Sequence, residues 1–503
     1  MKRTRRRKTH NNDSIFPMTV DELKKLITGK FENNHDFEFS IYEHHGKKIA
    51  VFFISYQVKT DKVEDFLLKP LLSKQGEWTS KSILNEVPLD TGSTTETLET
   101  ILEKLLIGEV FVYVENDVEI VSYVLLKKEH RQLSKPENET VVLGPQVAFT
   151  ESLITNLNII RWSIRSTDLV LEKLMVGKRS PREVRIVYMK SIANETDVNT
   201  MRQRIKDLEI DQLEDSTTLM QYIEDSSTTI FPQFYSTELP DRVAYTVSQG
   251  RIAVLVENSP TAILAPSTLF SFFESTEDLY MRWNVGSFLR ILRFIAMFIS
   301  VVLTPLYVAA VTYHYELIPL RELITLGQSR AVVPFPPIIE AIILEFLIEL
   351  LREAGARLPT KVGQTIGIVG GVIIGQAVVQ AGLTSSILII VVALSALSSF
   401  TAPSYLMGTT IRVIRYPMIL LAGMLGIIGI MFGLCFLLIH LLKMTSLGRP
   451  YLSPIYPFRW VDLNKVLFRL PANYQYKRFF SFRPKDLLRY NKSEAVKKQD
   501  IDE

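Results

Sequence analysis

The chain has 503 residues, enough for roughly three ordinary domains, and its 57 Lys plus Arg nearly balance 54 Asp plus Glu, leaving a formal net charge of +3. The single cysteine, Cys435, excludes an intrachain disulfide and a thiolate metal cluster. The unremarkable average hides an asymmetry: residues 1–293 are charged and mixed, Phe294 to Leu442 is mostly apolar, and the remainder turns basic, as in a soluble module fused to a membrane module.

The chain opens on Lys2-Arg3-Thr4-Arg5-Arg6-Arg7-Lys8, followed by Asn11-Asn12-Asp13 instead of an apolar stretch, so it is not a secretory signal. Residues 1–35 read as a basic disordered arm. Such an arm near an anionic leaflet gains about 1 kcal/mol per basic side chain. No basic patch with interleaved aromatics follows, and nucleic acid is not an expected partner. The seven histidines lack metal-ligand spacing, and adjacent His44 and His45 fall on opposite sides of a strand, so no metal site is expected.

The next stretch contains an internal repeat. Gly108 to Asn116 reads like Gly250 to Asn258: an apolar strand ending at Glu-Asn, followed by a second short strand, as in a hairpin. Upstream, Val51 to Asp61 matches Val187 to Asp197 through Ser55/Ser191, Thr60/Thr196 and Asp61/Asp197. In both, Thr-Asp caps an amphipathic helix, Lys62 to Leu72 and Val198 to Leu208. The expectation is two related α/β subdomains, residues 36–130 and 180–280, the repeat itself ending near 266. Between them, residues 131–179 carry a connecting helix with Leu153, Leu157, Ile160 and Ile164 at helical spacing, and Arg161 and Arg165 as solvated charges. No Gly-rich phosphate loop and no nucleophile-and-base constellation occurs, so neither an enzyme nor a cofactor is expected.

Residues 290–442 read as a transmembrane helical domain of about four spans plus one acidic amphipathic segment. Phe294 to Tyr315 carries no charge and can cross a bilayer, kinked at Pro305, with Arg290 and Arg293 keeping the N-terminal region cytoplasmic. Segment 334–351 differs, because it contains Glu340, Glu345 and Glu349 before Arg352. Three carboxylates cost on the order of 8–10 kcal/mol against about 4–5 returned by the apolar residues. A lipid-facing span therefore fails. The segment lies in the interface, dips partway, or turns Glu345, Glu349 and Arg352, which share one helical face, toward a watery interior.

Val362 to Leu383 has Gly363, Gly367, Gly371 and Gly375 every fourth residue, a stripe for close helix packing. A parallel row of Gln364, Ile368, Val372, Gln376 and Gln380 faces protein or a pore. Ile387 to Leu406 and Pro417 to Leu442 supply two more spans, with Arg412 and Arg415 between them facing the outer side. Residues 443–503 form a basic cytoplasmic tail.

With those residues in place, the chain resembles the GerA family of spore germination receptor A subunits. The matching motifs include Gly144-Pro145 with Phe149, Glu151, Asn156 and Arg161; Glu257-Asn258-Ser259-Pro260; Ala265-Pro266-Ser267-Thr268-Leu269; Thr304-Pro305-Leu306-Tyr307-Val308-Ala309; Val333-Pro334-Phe335-Pro336; Glu349 to Pro359, running into Gly363-Gln364 and Gly367 to Gly375; and Pro450-Tyr451-Leu452-Ser453-Pro454. The resemblance implies a multi-pass spore inner-membrane protein whose partners are a transporter-like B subunit, a lipoprotein C subunit and further copies of itself. It also implies a ring forming a ligand-gated ion channel, with nutrients bound mainly by the B subunit. The alternatives are a non-conducting scaffold that relays B-subunit occupancy and a related late-germination channel subunit with other partners. A secondary transporter would need interrupted helices in related halves, and none is evident.

Overall fold

A computed structural model describes residues 17–44, 46–73, 78–89, 91–126, 135–358, 371 and 375–491. The N-terminal half is built on two sheets and the C-terminal part on helices. The first sheet comprises β1 (Phe37–His44), β2 (Lys47–Ile54), β3 (Gly92–Thr95), β4 (Glu109–Val114) and β5 (Ile120–Val124), in spatial order β1-β2-β4-β5-β3. The second comprises β6 (Leu169–Val176), β7 (Arg182–Met189), β8 (Tyr235–Thr237), β9 (Ile252–Val256) and β10 (Ala262–Ala265), in order β6-β7-β9-β10-β8. The two orders are the same. Asn116 and Asn258 both take positive φ, 67° and 60°, a conformation Asn tolerates better than most side chains, which is why both turns carry Glu-Asn.

Period-2 patterning sorts the first sheet's faces. Phe39, Phe52 and Phe111 are direct cross-strand partners and stack, with centroids 5.2 and 5.4 Å apart. On the other face Ile49, Val51, Val112 and Val114 pack with Leu67, Leu71 and Ile83 from the covering helices and with Trp78 from the loop before the last of them.

Local differences from the sequence expectation have physical causes. Residues 17–35, assigned to the disordered arm, hold the helix Val20–Lys30, capped by Thr19 and anchored through buried Val20, Leu23 and Ile27. The first repeat's helix starts at Thr60 and passes through a π-helical stretch, Val63–Leu68, with no side-chain cap bond. In the second, Asn194 caps Glu195–Lys206, so Thr196 and Asp197 lie inside the first turn. The connecting helix is Leu153–Ser163. Its Arg161 is fully buried, donating Nε and Nη2 to Asp36 Oδ2 at 3.2 and 2.5 Å and Nη1 to the carbonyls of Ser166 and Leu169, so it is no solvated charge.

Two compact units divide the chain, one of described residues up to 135 with 147–219 and 237–262, the other of 136–146, 220–236 and 263–491, so the boundary falls within β10. The second unit contains a helical bundle. Trp283–Thr312 is long and apolar enough to cross a membrane, and Ser386–Ser399 and Ile427–Lys443 are apolar but shorter. Pro337–Arg357 runs antiparallel to the first of these: Val308 packs with Ala341 and Thr304 reaches Glu345. Ser386–Ser399 is also antiparallel to it, since Tyr307 meets Ser385 while Thr401 meets Met297. Tyr405–Leu425 is parallel to it, with Arg415 against Ser300 and Tyr313 donating to the carbonyl of Gly423. Ile427–Lys443 then folds back, its Gly429 and Gly433 lying against Leu421 and Met418. The reversal is at Gly426, φ 65°, where an added Cβ would sit 2.8 Å from the His314 ring.

This differs from the expected boundaries. The acidic segment is a full-length bundle member of 21 residues, about 31 Å at 1.5 Å per residue. Pro417 lies inside a helix instead of opening one, and Arg412 and Arg415 are in that helix and not in an outer loop. Residues 283 and 443 fall at the same end of the bundle.

Candidate functional site

Glu340, Glu345 and Glu349 of Pro337–Arg357 all meet arginines, and the first two are buried. Glu345 is 5% and Arg415 3% exposed, with Arg415 Nη1 donating to Glu345 Oε2 at 2.6 Å. Arg415 Nη2 donates to Ser300 Oγ at 2.6 Å and to the Ser395 carbonyl at 3.2 Å. Thr304 Oγ1 lies 3.0 Å from both Glu345 Oε1 and Ser395 Oγ. Four helices therefore converge on one ion pair. Burying two charges is tolerable only when opposite charge and hydrogen bonds replace the lost hydration, and here both are supplied, Arg415 Nε alone of the guanidinium nitrogens being buried without a hydrogen-bond partner among the described residues. That resolves the cost that ruled out a lipid-facing span.

Two further acids on the same helix are placed likewise. Glu340, its side chain fully buried, pairs with Arg330 at 3.0 Å and accepts the Ser385 backbone N–H at 3.2 Å, at the start of Ser386–Ser399. Glu349 lies between two cations, with Oε2 3.0 Å from Arg352 Nη1 and Oε1 3.3 Å from Arg412 Nε. Arg352 also donates to Ser399 Oγ at 3.4 Å and stacks over Phe400, 4.5 Å from its centroid. Glu345, Glu349 and Arg352 do share a face, as their i, i+4, i+7 spacing suggests. Their partners Arg412 and Arg415, and the pair Glu340–Arg330, escaped the sequence reading. The available signal was two arginines three apart in an apolar run opposite three unpaired acids.

Of the expected pore row, Gln364, Ile368 and Val372 lie outside the described residues, as do Gly363 and Gly367 of the packing stripe. Gln376 and Gln380 are exposed. A Cβ added at Gly371 or Gly375 would meet nothing within 4 Å among the described residues. Close approach instead occurs at Gly423, where an added Cβ would collide with the Ile338 side chain, and at Gly429, where it would collide with the Leu421 carbonyl.

At the bundle end that holds Lys443, the chain is tied to segment 220–236. Asp225 accepts from Thr445 Oγ1 and from the backbone N–H groups of Leu447 and Gly448, at 3.0 and 2.9 Å for the latter two. Thr229 Oγ1 is 2.9 Å from His440 Nε2, and Thr410 Oγ1 donates to the Ile230 carbonyl at 2.7 Å. Burial raises the Glu224 carboxyl above its ordinary value, although its Oε1 accepts the Gln233 N–H. Beyond the bundle, Asp278 receives both Arg290 and Arg293, and Arg290 also donates to the carbonyls of Lys465 and Val466, joining the helix Trp460–Leu467 to Trp283–Thr312. Burial lowers the Lys465 ammonium below its ordinary value.

Residues 25–480 match the family model described as Bacillus/Clostridium GerA spore germination protein. Spore germination protein GerQA of Bacillus cereus is 47% identical over 420 residues, covering 83% of this chain and 84% of that protein. Spore germination protein GerIA of Bacillus cereus is 38% identical over 501 residues, 98% of this chain and 75% of that one. Spore germination protein KA of Bacillus subtilis (strain 168) is 35% identical over 461 residues, 91% and 85%. Among solved structures, the N-terminal domain of the A subunit of the Bacillus megaterium spore germinant receptor GerK3 aligns with a TM-score of 0.41 and 27% identity, over 51% of this chain and 98% of that one.

Proposed function

The chain belongs to the GerA family of spore germination proteins, and on that premise we propose that it is the A subunit of a nutrient germinant receptor in the spore inner membrane, where copies of it assemble into a ligand-gated ion channel. The helical bundle crosses the membrane with both of its ends on the cytoplasmic side, in keeping with the basic residues at that end. A transporter-like B subunit and a lipoprotein C subunit complete the receptor. The protein performs no covalent chemistry.

The observation that carries the channel reading is the face of residues 375–380, which has no partner among the described residues: Gln376 and Gln380 are exposed, and no described atom lies beside Gly375. Amides in an apolar helix need polar partners or water. A ring of copies around an aqueous path satisfies both, with glycines admitting the neighbouring helix. The deciding experiment is reconstitution of the purified receptor in vesicles loaded with monovalent cations, followed by ion release on nutrient addition. Nutrient-dependent release that is abolished by Gln376→Leu supports the channel. A receptor that binds nutrient but releases no ions is a non-conducting scaffold.

A further inference from the structure

The charges around Glu349 do not balance. Glu345 and Arg415 balance each other in charge one to one, although Arg415 Nε is also without a hydrogen-bond partner among the described residues, and Glu353 is engaged by Arg357 through two guanidinium nitrogens. Glu349 alone faces both Arg352 and Arg412, one cation at each carboxylate oxygen. Among the described residues one positive charge is left over, on side chains only 15% and 11% exposed. The hydrogen bonds are incomplete as well. Arg352 Nε is buried and has no hydrogen-bond partner among the described residues, and Arg412 Nε faces Glu349 without hydrogen-bond alignment. A buried guanidinium left in that condition is costly, and its planar fork of donors matches a tetrahedral oxyanion.

The level of the cluster in the bundle says where such an anion comes from. Phe400, under Arg352, is followed by Thr401, which contacts Met297. Met297 is four residues beyond Arg293, the last cation to pair with Asp278, or about 6 Å along the helix. Arginine side chains at that depth reach the headgroup region by extending along the helix. The surrounding surface is apolar and exposed, with Phe400, Leu350 and Val413 each at least 49% accessible, while Glu349 is 38% exposed at the opening.

We propose that Arg352 and Arg412 form a binding site for a phosphate-class oxyanion, supplied either by an anionic phospholipid headgroup or by free phosphate, with Glu349 as a built-in competitor for the same two cations. The proposal rests on the membrane placement given above, but binding is measured without reference to ion conduction, so the two readings fail separately. Opposite charge changes at the site should act in opposite directions. Arg412→Gln removes a ligand and weakens binding, whereas Glu349→Gln removes the competing carboxylate and strengthens it. A purely structural role for the cluster weakens both variants alike.

The test uses the full chain in neutral detergent, stripped of lipid, with native mass spectrometry and thermal unfolding as readouts. It is titrated separately with phosphatidylglycerol, phosphatidylcholine and inorganic phosphate. The expected result is binding of phosphatidylglycerol or inorganic phosphate that weakens at least tenfold in Arg412→Gln and tightens at least threefold in Glu349→Gln. A response to phosphatidylglycerol alone identifies a headgroup, and a response to inorganic phosphate identifies a soluble anion. Equal binding by the parent and both variants overturns the proposal. So does the absence of binding in a chain whose extra charge is neutralised by a carboxylate of a second copy. Should Arg412→Gln fail to fold, Glu349→Gln decides: unchanged or weaker binding in that variant refutes the site.

Discussion

Glu345 and Arg415 are each tolerable in the bundle because of the other. Arg415→Leu strands a carboxylate among Thr304, Ser300 and Ser395, and removing one partner of a buried pair costs about 3–5 kcal/mol. We expect Arg415→Leu to accumulate poorly and to melt well below the parent in detergent. Replacing both, as Glu345→Met with Arg415→Met, should recover most of that loss, since well-packed apolar side chains often equal or exceed a buried pair in stability. If the double variant melts near the parent but no longer responds to nutrient, the pair serves gating; a fully responsive double variant makes it structural. Outside the bundle, Glu224 carries a raised carboxyl because burial disfavours its charged form. A group with a raised folded-state value contributes stability below its unfolded-state value and loses it as pH rises through the folded-state value. Glu224→Gln should therefore stabilise the protein at neutral pH, with the gain fading in acid. A melting series across pH checks this, and a gain that grows toward low pH contradicts it.

At the scale of the helix, the close approaches within one chain fall at glycines other than those proposed to face a neighbouring copy. Gly429 faces the Leu421 carbonyl so closely that a methyl group has nowhere to go, and backbone cannot swing aside as a side chain can. Gly429→Ala should separate Tyr405–Leu425 from Ile427–Lys443 at a cost of about 1–3 kcal/mol, read as lower yield and thermal midpoint. Gly375→Ala meets no atom of the described residues and should leave the fold of a single chain unchanged or slightly firmer, given alanine's helix preference of about 1 kcal/mol. If bulkier Gly375→Leu melts like the parent as an isolated chain but no longer assembles, that face is the one between copies. The sequence pattern exposed the stripe at Gly363 to Gly375 because its spacing is regular, and missed Gly423 and Gly429 because their neighbours come from other helices. The same limit explains Arg412 and Arg415. Hydropathy treats charges as loop markers, and only a partner on a different helix allows such a charge to sit inside a bundle.

Across the whole molecule, duplication was the most legible feature, for a local reason. A strand ending at Glu-Asn requires a positive-φ residue, and that requirement leaves the same letters at residues 115–116 and 257–258. The shared strand order of the two sheets depends on long-range pairing, which no such short signature records. The ring proposed for the helical part can be tested through the chain's single cysteine. Cys435 is exposed on Ile427–Lys443, on a helix where Phe432, Phe436 and Ile439 are also exposed and should meet lipid. A charged, membrane-impermeant thiol reagent should not reach it in intact membranes. Gln376→Cys in a Cys435→Ser background should be modified in the same membranes if its row lines water, faster with nutrient present than without. Modification should also impede ion release, since it places a charged bulk in the path. Protection of Gln376→Cys in membranes, with ready labelling once the protein is unfolded in detergent, would remove this row from any aqueous path and leave the glycines as a packing seam alone.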